Sequence, residues 1–346
     1  MRKQEFFGMA RDEAVALLAA APVVRLAGVG ERGQPVLRSL HAVVIDGWLY
    51  FHAAPVGEKS EAVGREAVIA ADEAIATIPS HVFDPERACP ATTYYLSAQA
   101  HGTLHAVDEP ALKARVLQVL MEKHQPEGGY APITADDPRY RGAVKGIAIV
   151  GMPLTQVDGK AKLGQNRGPD DLGKVLRFLW ARGEPGDPRA VDLVRAANPD
   201  VPTPEFLSAP AGARLQCALG PADLPAAVEL LAGEYWNVDV PRDRIAVGQS
   251  RSSAWVGARD EAGRLIATGR ALGDGARWAY LLDIAVASSW RGRGLGKALV
   301  RLLLDHPQVR GCRHVGLRTR DAQSFYRGFG FRDGVESKSA EMVLQR

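Results

Sequence analysis

The segment "DIAVASSWRGRGLGKALV", residues 283–300, runs from an apolar, strand-like stretch through a turn with glycine at 292, 294 and 296 into a helix-like pattern, Lys297-Ala298-Leu299-Val300. Glycine accepts positive φ and lets backbone approach a ligand closely, while the N–H groups that open a helix present the positive end of its dipole. The anion suited to such a turn is a phosphate or pyrophosphate. A Walker A loop would require glycine at Arg291 and Ser or Thr at Ala298, which argues against nucleoside triphosphate hydrolysis. A dinucleotide fingerprint needs G-x-G-x-x-G, and the spacing here is G-x-G-x-G. Just before the turn, the period of a strand places Asp283 on the face opposite Ile284. His101 and His105 are spaced i, i+4 on one strand-like run, where metal or haem ligation can be imagined; no carboxylate or cysteine completes a set, so two ordinary strand histidines is the preferred reading and no metal is expected.

The elements that must position these groups fall into two parts. At 346 residues the chain is long for one core, and 46% hydrophobic with 24% charged residues is ordinary for a globular protein in water. The net charge of +3 comes from near-balanced totals without a lysine or arginine block, so nucleic acid is not an expected partner. Three cysteines, far apart and with no CxxC, indicate neither a disulfide framework nor a zinc ribbon and fit a reducing cytoplasm. "AVALLAAAP" at 14–22 follows Arg11-Asp12-Glu13, too acidic for a signal peptide, and reads as a short surface helix; no run reaches the roughly 20 apolar residues of a membrane span.

From 23 to 150 the text is mostly strand-like: "VVRLAGVG", "QPVLRSLHAVVI", a turn at Asp46-Gly47, "WLYFHAA", then further strands across "HVFDPERACPATTYYLSAQAHGTLHAV", an amphipathic helix at "EPALKARVLQVLMEKHQP" and a strand pair at "AVKGIAIVGMPLTQV". Short strands at steady spacing predict a small antiparallel barrel. Prolines crowd at 199, 202, 204 and 210, which sets an expected boundary near 211 and domains of 1–211 and 212–346. The remainder reads strand, helix, several strands, helix, strand, helix and a last strand at "AEMVLQ", an α+β order.

Arg291-x-x-Gly294-x-Gly296 directly after a strand, together with "TRDAQSFYRGFGF", resembles the GNAT family of N-acetyltransferases over about residues 212–346. The resemblance implies direct attack of a small amine on acetyl-coenzyme A. It assigns Ile284, Ala285 and Val286 to backbone pairing with the pantetheine arm, one N–H serving as oxyanion donor, and Arg291, Gly292, Arg293, Gly294, Leu295, Gly296 and Lys297 to the pyrophosphate. Tyr326 matches the tyrosine that protonates the departing thiolate, and Asp283 or, as a second candidate, Glu234 is the general base. A structural carboxylate at a strand splay is the competing reading of Asp283, and Tyr235 and Trp236 are candidates for the acceptor pocket. Asp321 stands where many members have asparagine.

"GQPVLRSLHAVVIDGWLYFHAAPVGEKSEAV" and "GKAKLGQNRGPDDLGKVLRFLWARG" resemble the flavin-binding split barrels related to pyridoxamine 5′-phosphate oxidase, including nitroimidazole-reductase-like proteins. That resemblance implies FMN held by Arg38 and Lys59, with Ser39 and His52 on the same two strands, haem as the lesser alternative, and a homodimer formed through the barrel. The expected molecule is a bifunctional cytoplasmic enzyme. A cofactor-loaded sensor, or a barrel serving only as a dimerisation scaffold, stands as the alternative.

Overall fold

Asp46 and Gly47 both take positive φ, 49° and 78°, the geometry of a two-residue hairpin turn whose twist matches that of its strands. Ile45 therefore pairs with Trp48, and Ala42–Ile45 lies antiparallel to Trp48–Ala53. A computed structural model of the chain describes residues 4–30 and 32–332. By contact it divides into two units, Met1–Pro202 and Thr203–Arg346. The 3-10 turn Glu205–Leu207 packs with helix Leu295–Asp305 of the second unit.

The first unit is a mainly antiparallel split barrel. One sheet has the order Gly8–Met9, Gln156–Lys162, Thr92–Thr103, Glu66–Ile78, Val24–Val29, Pro35–Leu40; the other has Ala42–Ile45, Trp48–Ala53, Ala148–Pro153, His105–Val107. The chain crosses between sheets at His41 and Leu104, and fully buried Leu104 joins Leu18, Leu26, Phe51, Ile69 and Met152 in the core between them. Helix Arg11–Ala20 forms where expected but is not a surface helix, because Ala14 and Leu18 have no exposure and pack into that core. The outer face of the smaller sheet buries Val43, Tyr50 and Ile149 against Val116 and Leu120 of helix Pro110–His124. Pro110 opens that helix and the Glu109 carboxylate accepts from Leu112 N–H at 3.0 Å, a cap that satisfies one otherwise orphaned donor. His101 and His105 end up in different sheets, on either side of the break at Leu104, so they do not share a strand face; His101 lies 3.8 Å from Asp158 and His105 packs edge-on to Trp48.

The second unit is an α+β fold around one five-stranded sheet, ordered Ala213–Gln216, Ala254–Asp260, Leu265–Gly273, Trp278–Val286, His314–Gly316, with only the last pair parallel. Helix Leu295–Asp305 carries Leu295, Ala298, Leu299, Leu302 and Leu303 at helical spacing, and all are buried. Its close approach needs Gly269: a Cβ there would lie 3.0 Å from Leu303 and 3.2 Å from Leu299. Helices Leu224–Ala232 and Arg242–Ser250 pack on each other. The expected last strand "AEMVLQ" lies outside the described residues. Among the described residues no helix is long and apolar enough to cross a membrane.

Candidate functional site

The parallel ladder between Trp278–Val286 and His314–Gly316 has three residue pairs, Trp278 with His314, Ala279 with Val315 and Tyr280 with Gly316, and goes no further. On its other edge the longer strand stays paired to Leu265–Gly273 as far as Val286 with Ala267. Beyond Tyr280 the two chains therefore part, and a cavity of about 510 Å³ opens between residues 280–284 and 317–322. Tyr235, Trp236, Asp283, Arg320 and Tyr326 also line it. Strand backbone released from pairing on one edge offers N–H and C=O groups to an extended ligand.

Beyond the end of the ladder the strand is irregular at Asp283. Its φ is 51°, unusual for any residue but glycine, and the register shifts so that Asp283 and Ile284 together oppose Gly269. This is a β-bulge, and the strict alternation expected through Asp283 and Ile284 is interrupted there. Three donors hold the Asp283 carboxylate: Arg270 Nε at 2.6 Å, Gln249 Nε2 at 2.8 Å and Trp236 Nε1 at 3.1 Å. The ion pair is largely buried, its side chains 13% and 12% exposed. Glu234 lies past the end of helix Leu224–Ala232, and its Oε1 accepts from Arg291 Nη2 at 2.6 Å. Arg291 Nε also donates to the Val286 carbonyl at 3.0 Å, tying the turn to the strand that precedes it.

Gly292 and Gly294 have φ of 77° and 86°, values that L side chains rarely adopt. Gly294 is the N-cap of helix Leu295–Asp305, whose first N–H groups have no intrahelical acceptor. Residues 291–294 and Lys297 are exposed, and the Arg293 guanidinium lies 4.9 Å from the Trp290 ring. A Cβ on Gly296 would sit 3.8 Å from both Phe325 and Val286, so the turn, the strand end and helix Gln323–Arg327 converge. Tyr326, in that helix, is half-buried, and burial together with the nearby Tyr235 phenol pushes its own phenol above the ordinary value of 10, leaving it a proton donor at neutral pH. Tyr235 accepts from the Arg320 N–H at 3.0 Å, and the Arg320 guanidinium covers its ring at 3.8 Å. Asp321 is exposed and sits 3.8 Å from Arg320.

Sequence reasoning overlooked Arg270, Gln249 and Arg320. Arg270 was visible as the one charged residue inside the otherwise apolar "LIATGRALG", a pattern that calls for a buried acid on a neighbouring strand.

In the first unit Ser39, His52 and Lys59 line one cavity of about 230 Å³ with Leu40 and His41. Arg38, expected beside Lys59, is outside that lining, because neighbours on a strand point to opposite faces; it is exposed and donates to the Leu37 carbonyl at 2.7 Å. Burial, then the positive charges of Lys59 and His41, hold His52 below the usual imidazole value, so it is neutral at pH 7. An ammonium, a hydroxyl and an imidazole around a small cavity suit the phosphate end of a flavin mononucleotide, though the space is too small for the whole cofactor.

Residues 10–161 match the family model described as pyridoxamine 5′-phosphate oxidase, and residues 225–331 match that of the acetyltransferase (GNAT) family. The chain thus carries a pyridoxamine 5′-phosphate oxidase-like domain followed by a GNAT domain. GCN5-related N-acetyltransferase 1, chloroplastic, of Arabidopsis thaliana is 32% identical over 94 residues, 27% of this chain and 47% of that protein, so the chain spans about half the length of the curated relative it matches. Among solved structures, a proposed 5-nitroimidazole antibiotic resistance protein of Bacteroides thetaiotaomicron is similar at 16% identity and a TM-score of 0.36, over 44% of this chain and 85% of that one. A proposed acetyltransferase of the GNAT family from Xanthomonas campestris is similar at 28% identity and a TM-score of 0.33, over 37% and 93%.

Proposed function

We propose that the second unit is an acetyl-coenzyme A-dependent N-acetyltransferase acting on a small amine. The observation that carries this reading is the parting of the two parallel strands with the glycine turn at one end and the Tyr326 phenol in the cavity wall. The pantetheine arm pairs with the backbone of residues 284–286, and the pyrophosphate takes the N–H groups of residues 292–297. The amine nitrogen attacks the thioester carbonyl and forms the C–N bond, while a backbone N–H of the strand holds the oxyanion. Collapse breaks the C–S bond, Tyr326 gives its proton to the thiolate, and the ammonium proton passes to water in the open cavity. Asp283, with three donors on its oxygens, holds the bulge, and Glu234 holds Arg291. Tyr235, Trp236 and Arg320 shape the acceptor end.

For the first unit, Lys59, Ser39 and His52 would hold the phosphate of FMN, without Arg38, which lies outside their cavity. When bound, the flavin supplies electron transfer; the protein groups position it and offer positive charge. A second copy of the barrel and a reducing cytoplasm complete the reading, the latter in keeping with three cysteines that form no disulfide.

Release of free thiol from acetyl-coenzyme A across an amine panel tests the transferase. Turnover that requires both Gly294 and Tyr326 supports it, and no thiol release with any amine sinks it. FMN titration of the purified chain, followed by its absorption bands, tests the barrel; a Soret band would point to haem instead.

A further inference from the structure

The cavity between residues 280–284 and 317–322 is lined by the rings of Tyr235, Trp236, Tyr280 and Tyr326. Tyr235 and Trp236 meet edge to face with 4.9 Å between ring centres, and Trp236 is fixed by its Nε1 bond to Asp283 at 3.1 Å. Tyr280 lies against the bare backbone of Gly316, its partner in the ladder, where an added Cβ would come 3.1 Å from the ring. Aromatic rings held in this way offer a flat apolar surface to a ligand and lose little conformational entropy when it binds.

The charges of the same wall do not suit an ammonium ion. Among the described residues its carboxylates are those of Asp283 and Asp321, and it contains no histidine. Asp283 is already engaged by Arg270, Gln249 and Trp236. Asp321 is 68% exposed and sits 3.8 Å from Arg320. Exposed carboxylates are far weaker bases than alkylamines. Against these two acids stand the guanidinium groups of Arg318 and Arg320, the latter 3.8 Å from the centre of the Tyr235 ring. A protonated amine would meet like charge here and find no base in the wall fit to take its proton, whereas an uncharged amine needs none.

We infer, on the transferase reading of this site, that the acceptor is an aromatic amine bearing an acid group, of the aminobenzoate class. Its ring lies among Tyr235, Trp236 and Tyr280, its carboxylate meets the Arg320 guanidinium, and its amine is uncharged at neutral pH. The neutral nitrogen attacks the thioester carbonyl and forms the C–N bond without first losing a proton. Collapse then breaks the C–S bond and the Tyr326 proton goes to the thiolate. The surplus proton on nitrogen passes to water, and water returns a proton to the Tyr326 oxygen.

The test is thiol release from acetyl-coenzyme A by the full chain with three acceptors: 4-aminobenzoate, 4-methylaniline, which lacks the acid group, and 4-(aminomethyl)benzoate, whose benzylic amine is protonated at pH 7. At pH 7, 4-aminobenzoate is expected to give the highest kcat/KM of the three. Its rate should be level from pH 7 to 9, while that of the benzylic amine rises about tenfold between pH 7 and 8 as free base appears. Arg320→Gln should raise the KM for 4-aminobenzoate about tenfold more than the KM for 4-methylaniline, the effect of one charged pair. Preference for the benzylic amine at pH 7, or an equal change in KM for both anilines in Arg320→Gln, would overturn the inference and leave the transferase reading standing. No thiol release with these or any other amine would overturn both.

Discussion

Arg270 Nε lies 2.6 Å from Asp283 Oδ2, and both side chains are almost entirely shielded from water. The pair bridges two neighbouring strands at the one place where their register slips. Holding a carboxylate there keeps the bulge closed on one edge while the other edge stays open toward the cavity.

Asp283→Asn keeps a residue that tolerates positive φ but leaves Arg270 buried without its counter-charge. Loss of one partner of a buried pair costs roughly 3 kcal/mol or more. Urea unfolding of the full chain should show the second unit weakened by about that amount. A large fall in kcat with unchanged stability would instead identify Asp283 as the base.

Tyr326→Phe should lower kcat about a hundredfold while leaving the KM for acetyl-coenzyme A little changed. Because the phenol titrates above the ordinary value of 10, the wild-type rate should not decline from this group until pH passes 10. Thiol release measured from pH 7 to 11 checks both points; an alkaline limb that survives in the phenylalanine variant would belong to another group.

Gly294→Ala places a Cβ at φ 86° on the first residue of the turn–helix junction. The strain is about 1–2 kcal/mol, so the KM for acetyl-coenzyme A should rise about tenfold, read from initial rates.

His306 is 3% exposed and its Nδ1 accepts the Gln308 N–H at 3.2 Å, capping the short helix Pro307–Arg310. Burial, then Arg310, depresses its imidazole from 6.5 to about 4. The native state thus favours the neutral ring: this contribution is complete above pH 6.5 and is lost as pH falls through about 4, up to about 3 kcal/mol. Thermal melts between pH 4 and 7 should steepen in that window for the wild type and flatten for His306→Asn, whose amide can still accept the cap bond.

Turn chemistry made much of the architecture readable. Asp46-Gly47 and the glycines at 292 and 294 needed only local φ to act, and both turns form as expected. Where packing overrides local preference, the text said less. Glu66–Ile78, "EAVIAADEAIATI", is built from helix-favouring alanine and glutamate, yet Ala67, Ile69 and Ala71 alternate into the core and make it the longest strand among the described residues. Helix Arg242–Ser250 buries only Ile245 and Gln249, too thin a stripe to announce itself, and with it went the amide that holds Asp283. The bulge was invisible because nothing in an alternating apolar run marks an aspartate with positive φ. Helix Arg11–Ala20 has little contrast between its faces, and its buried side was set by the barrel core it meets.

The three-pair parallel ladder has one further consequence. Along residues 281–286 the surface that the parting exposes is main chain, which no single substitution other than proline can delete. Drift in the side chains of that strand other than Asp283 would therefore leave the grip on an extended ligand largely intact. Diversification of substrate preference should concentrate instead on the ring and guanidinium groups of Tyr235 and Arg320, neither of which holds Asp283.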